Sequence, residues 1–260
     1  MKRLIAAVAA LAFVGFASAS AYAQSTLDEV IKRGTLVIGV SLGTPPFGIT
    51  NATMEPDGFD VDMGKLIARD LGVKAQFVDI VAAARIPSLT TNKVDIVVSS
   101  FSITAERAKA INYSNAIYVD QQVALAPKAL SLASLDDFKG KRLGVTRSTT
   151  NDIVATKKAV EGTNIQRYDD DASTNQAMLA GQIDGMVTSA ATAAAIIGRD
   201  PKLEIKFVVA EAAMGIGLRR GDADLLRWLN TEIYLLWANK EIQALQQKWM
   251  KTVNKELPRF

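Results

Sequence analysis

Apolar residues fall in short runs separated by helical repeats, and that rhythm predicts an α/β chain. Residues 36–40 form an apolar run of strand length, and Phe59, Met63, Leu66, Ile67 and Leu71 then recur at three- and four-residue spacing up to Gly72. Strand, loop and helix follow in that order. Residues 73–78 alternate as a strand does, 85–91 suit a short helix, and 95–98 read as a buried strand running into Ser99 and Ser100. Strands that alternate with helices imply a mainly parallel sheet.

A second unit of similar plan begins near residues 126–128. Strands at 143–145, 165–168 and 183–187 alternate with helices at 151–160, 171–179 and 190–197, with Gly162 and Gly198 as stops. Two amphipathic helices, 225–237 and 241–249, follow and carry Trp228, Trp237 and Trp249. Their helical spacing reads as core packing rather than a binding box.

The chain of 260 residues contains neither His nor Cys. Ser-His-Asp and Cys-His nucleophiles, thiol redox chemistry and the usual zinc sites are thereby excluded, which favours binding over catalysis. Residues 1–23 read as an export signal, with Lys2 and Arg3 ahead of an apolar run of about 13 residues and Ala21-Tyr22-Ala23 as cleavage site. That run is shorter than the roughly 20 residues a spanning helix needs, and no Cys follows to carry a lipid, so a soluble periplasmic product starting at Gln24 is expected. Of the 30 basic residues, Lys2 and Arg3 lie in the leader, leaving 28 against 27 acidic ones. They are evenly spread, so neither nucleic acid nor a membrane surface is an expected partner. No cofactor is expected, because no Walker lysine pattern and no G-x-G-x-x-G follows a strand. Asp169, Asp170 and Asp171 suit helix capping better than a metal loop, and no metal is expected.

One segment concentrates anion-binding chemistry. A strand delivers Ser99, Ser100 and Ser102 to its carboxyl end, Thr104 is placed to cap the next helix, and Arg107 falls in that helix's first turn. Hydroxyls, free backbone N–H groups and a guanidinium that meet at one point attract a carboxylate. A bland reading stands beside this one: Arg107 pairs with Glu106 or another surface acid. In the second unit Thr149 and Thr150 sit where a strand turns into a helix, one hydroxyl suited to capping and the other to a ligand.

Several segments in order resemble the extracellular solute-binding proteins of family 3, the polar amino acid receptors of ABC importers. They are Pro45-Pro46-Phe47, Gly58-Phe59-Asp60-Val61-Asp62, Arg85-Ile86-Pro87-Ser88-Leu89, Val94-Asp95-Ile96-Val97, the stretch from Ser99 to Arg107, and Gly144-Val145-Thr146-Arg147-Ser148-Thr149-Thr150. The resemblance implies two α/β lobes with a ligand between them. Lobe 1 would be discontinuous, 24–119 with 214–260, lobe 2 would be 120–213, and the crossings would lie near 118–124 and 210–216. It also implies a ligand carboxylate on Ser100, Ser102, Arg107 and Thr150, hinge closure, and a membrane permease as partner of a monomer.

The chain departs from that pattern where the ammonium is held, with Ser189 in place of an Asp. Thr44 and Ala82 replace the usual aromatics, which leaves Phe47 as the nearby ring, and Ser41 replaces an acid used by some basic-amino-acid receptors. Arg85 is either a second cationic contact or a solvated helix residue. A buried ammonium without counter-charge is costly, so a small organic acid is the alternative ligand. A dehydratase on the same scaffold would need a general acid in the cleft, and a sensory receptor would use the same cleft as a transporter.

Overall fold

A computed structural model describes residues 25–259; the export signal and cleavage site read at 1–23 lie outside the described residues. The chain opens with α1 (Thr26–Arg33), β1 (Thr35–Val40) and three short strands, β2 (Gly43–Thr44), β3 (Gly48–Thr50) and β4 (Pro56–Asp57), followed by α2 (Phe59–Asp70). Next come β5 (Lys74–Asp79), a 3-10 turn (Ala82–Ala84), α3 (Arg85–Thr90), β6 (Ile96–Val97), α4 (Ala105–Ala108) and β7 (Ile111–Pro127). After the turn Leu135–Phe138 the second unit runs β8 (Arg142–Thr146), α5 (Thr150–Lys158), β9 (Asn164–Tyr168), α6 (Asp171–Leu179), β10 (Gly185–Ser189), α7 (Ala190–Arg199) and β11 (Leu203–Arg219). Helices α8 (Ala223–Ala238) and α9 (Glu241–Met250) close the series.

Eight strands join in the order β5-β1-β6-β11-β7-β10-β8-β9, while β2, β3 and β4 form a separate small sheet. The wings are parallel, β5-β1-β6 on one side and β10-β8-β9 on the other. Between them β7 and β11, 17 residues each, pair antiparallel along nearly their whole length. Both strands run from one wing to the other, and residues 118–124 and 210–216 lie within them. The hydrophobic patterning expected wings of parallel strands; it left the long central ribbon as connecting chain.

Each wing has a core on both faces, as alternation along its strands requires. In lobe 1, Leu36 and Ile38 of β1 pack with Met63, Ile67, Leu225 and Leu229, while Ile80, Leu89, Val97 and Phe101 form the opposite core. In lobe 2, Leu143, Val145 and Val187 pack with Phe138, whereas Met186 packs with Met178, Ile183 and Ile196 on the other face. Trp228, Trp237 and Trp249 are half-buried against the first of these cores, as their spacing predicted. Among the described residues no helix is long and apolar enough to cross a membrane.

Helix starts are set by side-chain caps. Thr104, Thr149, Asp170 and Ser189 each accept a backbone N–H of the following first turn, at α4, α5, α6 and α7. Helix α2 begins differently, at Gly58 with φ 121°, where an added Cβ would lie 2.3 Å from the Phe47 carbonyl oxygen. Only glycine fits, and the tight approach brings Phe47 against Phe59 and Tyr118, with centroids 6.4 and 6.0 Å away.

Candidate ligand-binding site

The strand ends and helix starts of both lobes converge on one cavity at their seam. It has an empty volume of about 470 Å³, part of it open to solvent. Lobe 1 contributes Thr44, Phe47, Arg85, Ser100 and Ser102; lobe 2 contributes Thr149, Thr150, Asn151, Asp171, Thr188, Ser189 and Thr192. The central ribbon adds Asp120, Gln121, Gln122, Ala212 and Met214. Eight of the nine residues singled out from the sequence line this space; the ninth, Arg107, does not.

Arg107 is turned away onto backbone. Its terminal nitrogens donate to Ser102 O at 2.8 Å and, across the seam, to Ser148 O at 2.9 Å. Glu106 pairs with Lys109 instead, so the surface ion pair considered for Arg107 is not formed. The guanidinium inside the cavity is that of Arg85, which is only 3% exposed, so the solvated-helix reading of this residue is corrected.

Arg85 is held from behind by a relay of hydroxyls. Its Nε donates to Ser99 Oγ at 3.3 Å, Ser99 donates to Ser41 Oγ at 3.0 Å, and Ser41 donates to Ile80 O at 2.6 Å. Its terminal nitrogens have no hydrogen-bond acceptor among the described residues, and the side chain lines the cavity. The Arg85 and Arg107 Cζ atoms lie 5.3 and 5.0 Å from the Phe101 centroid, so one ring's π-cloud serves two cations. Burial, and then the charge of Arg107, push the Arg85 pKa down to about 10. Burial likewise lowers that of Arg107 and pushes the Tyr113 hydroxyl up to about 12. Neither arginine is ion-paired to a carboxylate among the described residues. Two buried cations without bonded counter-ions make this corner strongly anion-seeking.

Ser100 presents its backbone and hydroxyl beside that charge in an unusual conformation, φ 38°. Its N–H donates to Asp60 Oδ2 at 2.7 Å, and the Asp60 carboxyl, 2% exposed, is pushed up by burial to about 7. A buried acid thus pins a left-handed residue at the strand end, a form of local strain that the surroundings must hold.

Direct bonds already join the lobes. Ser102 Oγ and Thr150 Oγ1 are 3.0 Å apart, and Thr44 Oγ1 donates to Asp171 Oδ2 at 2.6 Å. The three neighbouring aspartates do different jobs: Asp169 pairs with Arg147, Asp170 caps α6, and Asp171 accepts from Thr44 and, at 2.6 Å, from Thr146. Capping was the sequence expectation for Asp170 or Asp171, and Asp170 takes it. Thr149 likewise spends its hydroxyl on the α5 cap and Thr146 O, leaving Thr150 to reach Ser102 and Gln122. Sequence reasoning missed Asp120, Gln122, Asn151 and Asp171 as cavity residues. A usable signal existed for Asp120, an acid inside the otherwise buried run of β7.

Two α/β lobes joined by a two-stranded ribbon, with a polar cavity at their seam that carries charges of both signs, define a cleft-type binding protein. The sequence pattern of Bacterial extracellular solute-binding proteins, family 3, matches residues 36–252. The chain belongs to this family. It is 28% identical over 253 residues to the L-cystine-binding protein TcyJ of Escherichia coli (strain K12), covering 95% of each chain. It is 26% identical to the ABC transporter glutamine-binding protein GlnH of Bacillus subtilis (strain 168), covering 88% of this chain and 85% of that one. Among solved structures, a mutant of ArgBP from T. maritima superposes with a TM-score of 0.82 at 33% identity, covering 87% of this chain and all of the other.

Proposed function

We propose that this chain is the periplasmic substrate-capturing component of an ABC importer, exported with cleavage after Ala23, and that it takes a small polar amino acid by its carboxylate. The observation that carries the reading is Arg85: a buried guanidinium that lines an interlobe cavity, its terminal nitrogens without an acceptor among the described residues. A carboxylate fits that fork by two parallel charge-assisted bonds, and the hydroxyls of Ser100, Ser102 and Thr150 lie around it. Thr44, Thr149, Phe47 and Ser189 complete the walls, while Arg107 clasps the lobes together through Ser148.

Closure is the mechanism. A ligand that touches Arg85 on one lobe and Thr150 on the other favours the joined state, in which the Ser102–Thr150 and Thr44–Asp171 bonds also form. That state presents both lobes together to a membrane permease, and the protein works as a monomer without catalysis. GlnH, a relative named as an ABC transporter protein, supports the importer role.

The test is isothermal titration of the refolded, ligand-free chain with amino acids and with amides of the same compounds. Micromolar binding of the acids, about −8 kcal/mol, with loss on amidation is expected. Equal binding of acids and amides overturns the carboxylate reading, and normal import in a strain lacking this chain overturns the transport role.

A further inference from the structure

The cavity holds a second buried charged group without an ion-pair partner among the described residues, on the ribbon between the lobes. Asp120 is 6% exposed and lines the space that Arg85 enters. Its Oδ1 accepts the Gln121 N–H at 2.8 Å and its Oδ2 the Ala191 N–H at 3.3 Å, with the Ser189 hydroxyl beside it. No cation is ion-paired to it among the described residues, and burial raises its pKa. The amino end of α7 gives partial compensation only.

The other carboxylates around the cavity are differently engaged. Asp171 lies within reach of the Arg85 charge, and both its oxygens already accept threonine hydroxyls. Asp60 is also felt by Arg85 and accepts the Ser100 N–H. Asp120 accepts two backbone N–H groups, and the Arg85 charge is not among the influences on it. Gln122, two residues along β7 and so on the same strand face, donates its amide nitrogen to Thr150 and Asn151, which leaves its carbonyl oxygen as a further acceptor on the cavity wall.

We propose that Asp120, assisted by the Gln122 carbonyl oxygen, is the acceptor for the ligand's α-ammonium group, so that the cavity takes an amino-bearing carboxylate and not a simple organic acid. This rests on the reading of the cleft as a carboxylate receptor. A buried carboxylate facing a cavity is stabilised when a cation enters, just as Arg85 is stabilised when an anion does. The two unpartnered charges therefore read the two ends of one zwitterion. Ser189 assists little, because its hydroxyl is committed to the α7 cap and to Thr192.

The experiment is calorimetric titration of the refolded, ligand-free chain with L-glutamine, L-arginine, L-histidine and L-cystine, and with the deaminated analogue of whichever binds. 5-Aminovalerate is added as a probe whose ammonium is terminal; its failure to bind beside a bound α-amino acid is expected, and tight binding of it that Asp120→Asn abolishes overturns the assignment to the α-ammonium. The wild-type protein is expected to prefer the amino acid over its deaminated analogue by about 100-fold, and Asp120→Asn to remove most of that preference while leaving the analogue's affinity within about threefold. Equal wild-type affinity for the two compounds overturns the assignment without any variant. So does an Asp120→Asn protein that weakens both equally or keeps the preference, or an Asp171→Asn protein that alone loses it. Binding of no carboxylate at all overturns the receptor reading, and this assignment with it.

Discussion

Replacing Arg85 by Met separates the binding role of its charge from any structural role, because the two effects have opposite signs. In the ligand-free protein the guanidinium is 3% exposed, makes one long bond to Ser99 and repels Arg107 across Phe101. Met removes that buried charge and keeps an unbranched side chain whose sulfur packs on the ring. Ligand-free stability should hold or rise, by about 1–3 kcal/mol, since an apolar substitute for a buried ionic group is often stabilising. Binding should collapse: two charge-assisted bonds at about 1.5–3 kcal/mol each predict a loss of roughly 10²- to 10⁴-fold in affinity. Urea unfolding gives the first quantity and calorimetric titration with the tightest-binding amino acid the second. Arg85→Lys, which keeps a charge but loses the fork, should fall between. An Arg85→Met protein that binds within about threefold of wild type refutes the assignment. So does one whose ligand-free form is grossly destabilised, since the charge would then be serving the fold.

Asp60 should impose a pH dependence on stability. Its carboxyl moves from 3.8 to about 7 on folding, so between those values the native state holds a proton that the unfolded chain releases, and stability falls as pH rises through this window. Asp60→Asn keeps an acceptor for the Ser100 N–H and should remove the slope, gaining on the order of 4 kcal/mol relative to wild type at pH 8 in urea melts; an unchanged slope counts against it. Thr44→Val deletes a bond from lobe 1 to the Asp171 carboxylate and should weaken ligand binding about tenfold while opening the ligand-free molecule in solution scattering. Unchanged scattering and affinity would show that this bond does not hold the closed state. Gly58→Ala should cost at least about 1–3 kcal/mol in urea midpoint measurements, because its φ of 121° is barred to alanine and its Cβ would strike Phe47 O.

The strands and helices of both wings were legible because each has one periodicity and a chemical boundary. Helix α6 starts at Asp171 and ends at Leu179 as expected, since Asp170 is a strong cap and Gly181, at φ 69°, follows its end. Strands β7 and β11 were not legible as units of 17 residues. Ala116, Ile117 and Tyr118 of β7 are buried in succession, while the middle of β11 is only partly buried with Val208 and Glu211 exposed, so neither strand alternates, and β11 carries register shifts that break its period further. The small sheet of β2, β3 and β4 has strands of two or three residues, too short to carry a pattern.

Within the cavity, chemistry was legible by segment and orientation was not. The serine-rich strand end and the Thr149-Thr150 turn advertise donors whatever their exact placement, because hydroxyls beside helix starts face outward from the sheet. Which of two arginines enters the cavity is decided by contacts distant in sequence: Ser148 O draws Arg107 across the seam, and the Ser99–Ser41–Ile80 relay holds Arg85 in place. The same logic applies to the negative end. An acid in a strand looks like an edge residue until β10 and α7 bury it, and only then does Asp120 become a charge in need of a partner. Buried groups of opposite sign, kept apart by the fold and unable to satisfy each other, make the empty cavity electrostatically costly. A zwitterion relieves both groups at once, which a neutral solute or a simple anion cannot do.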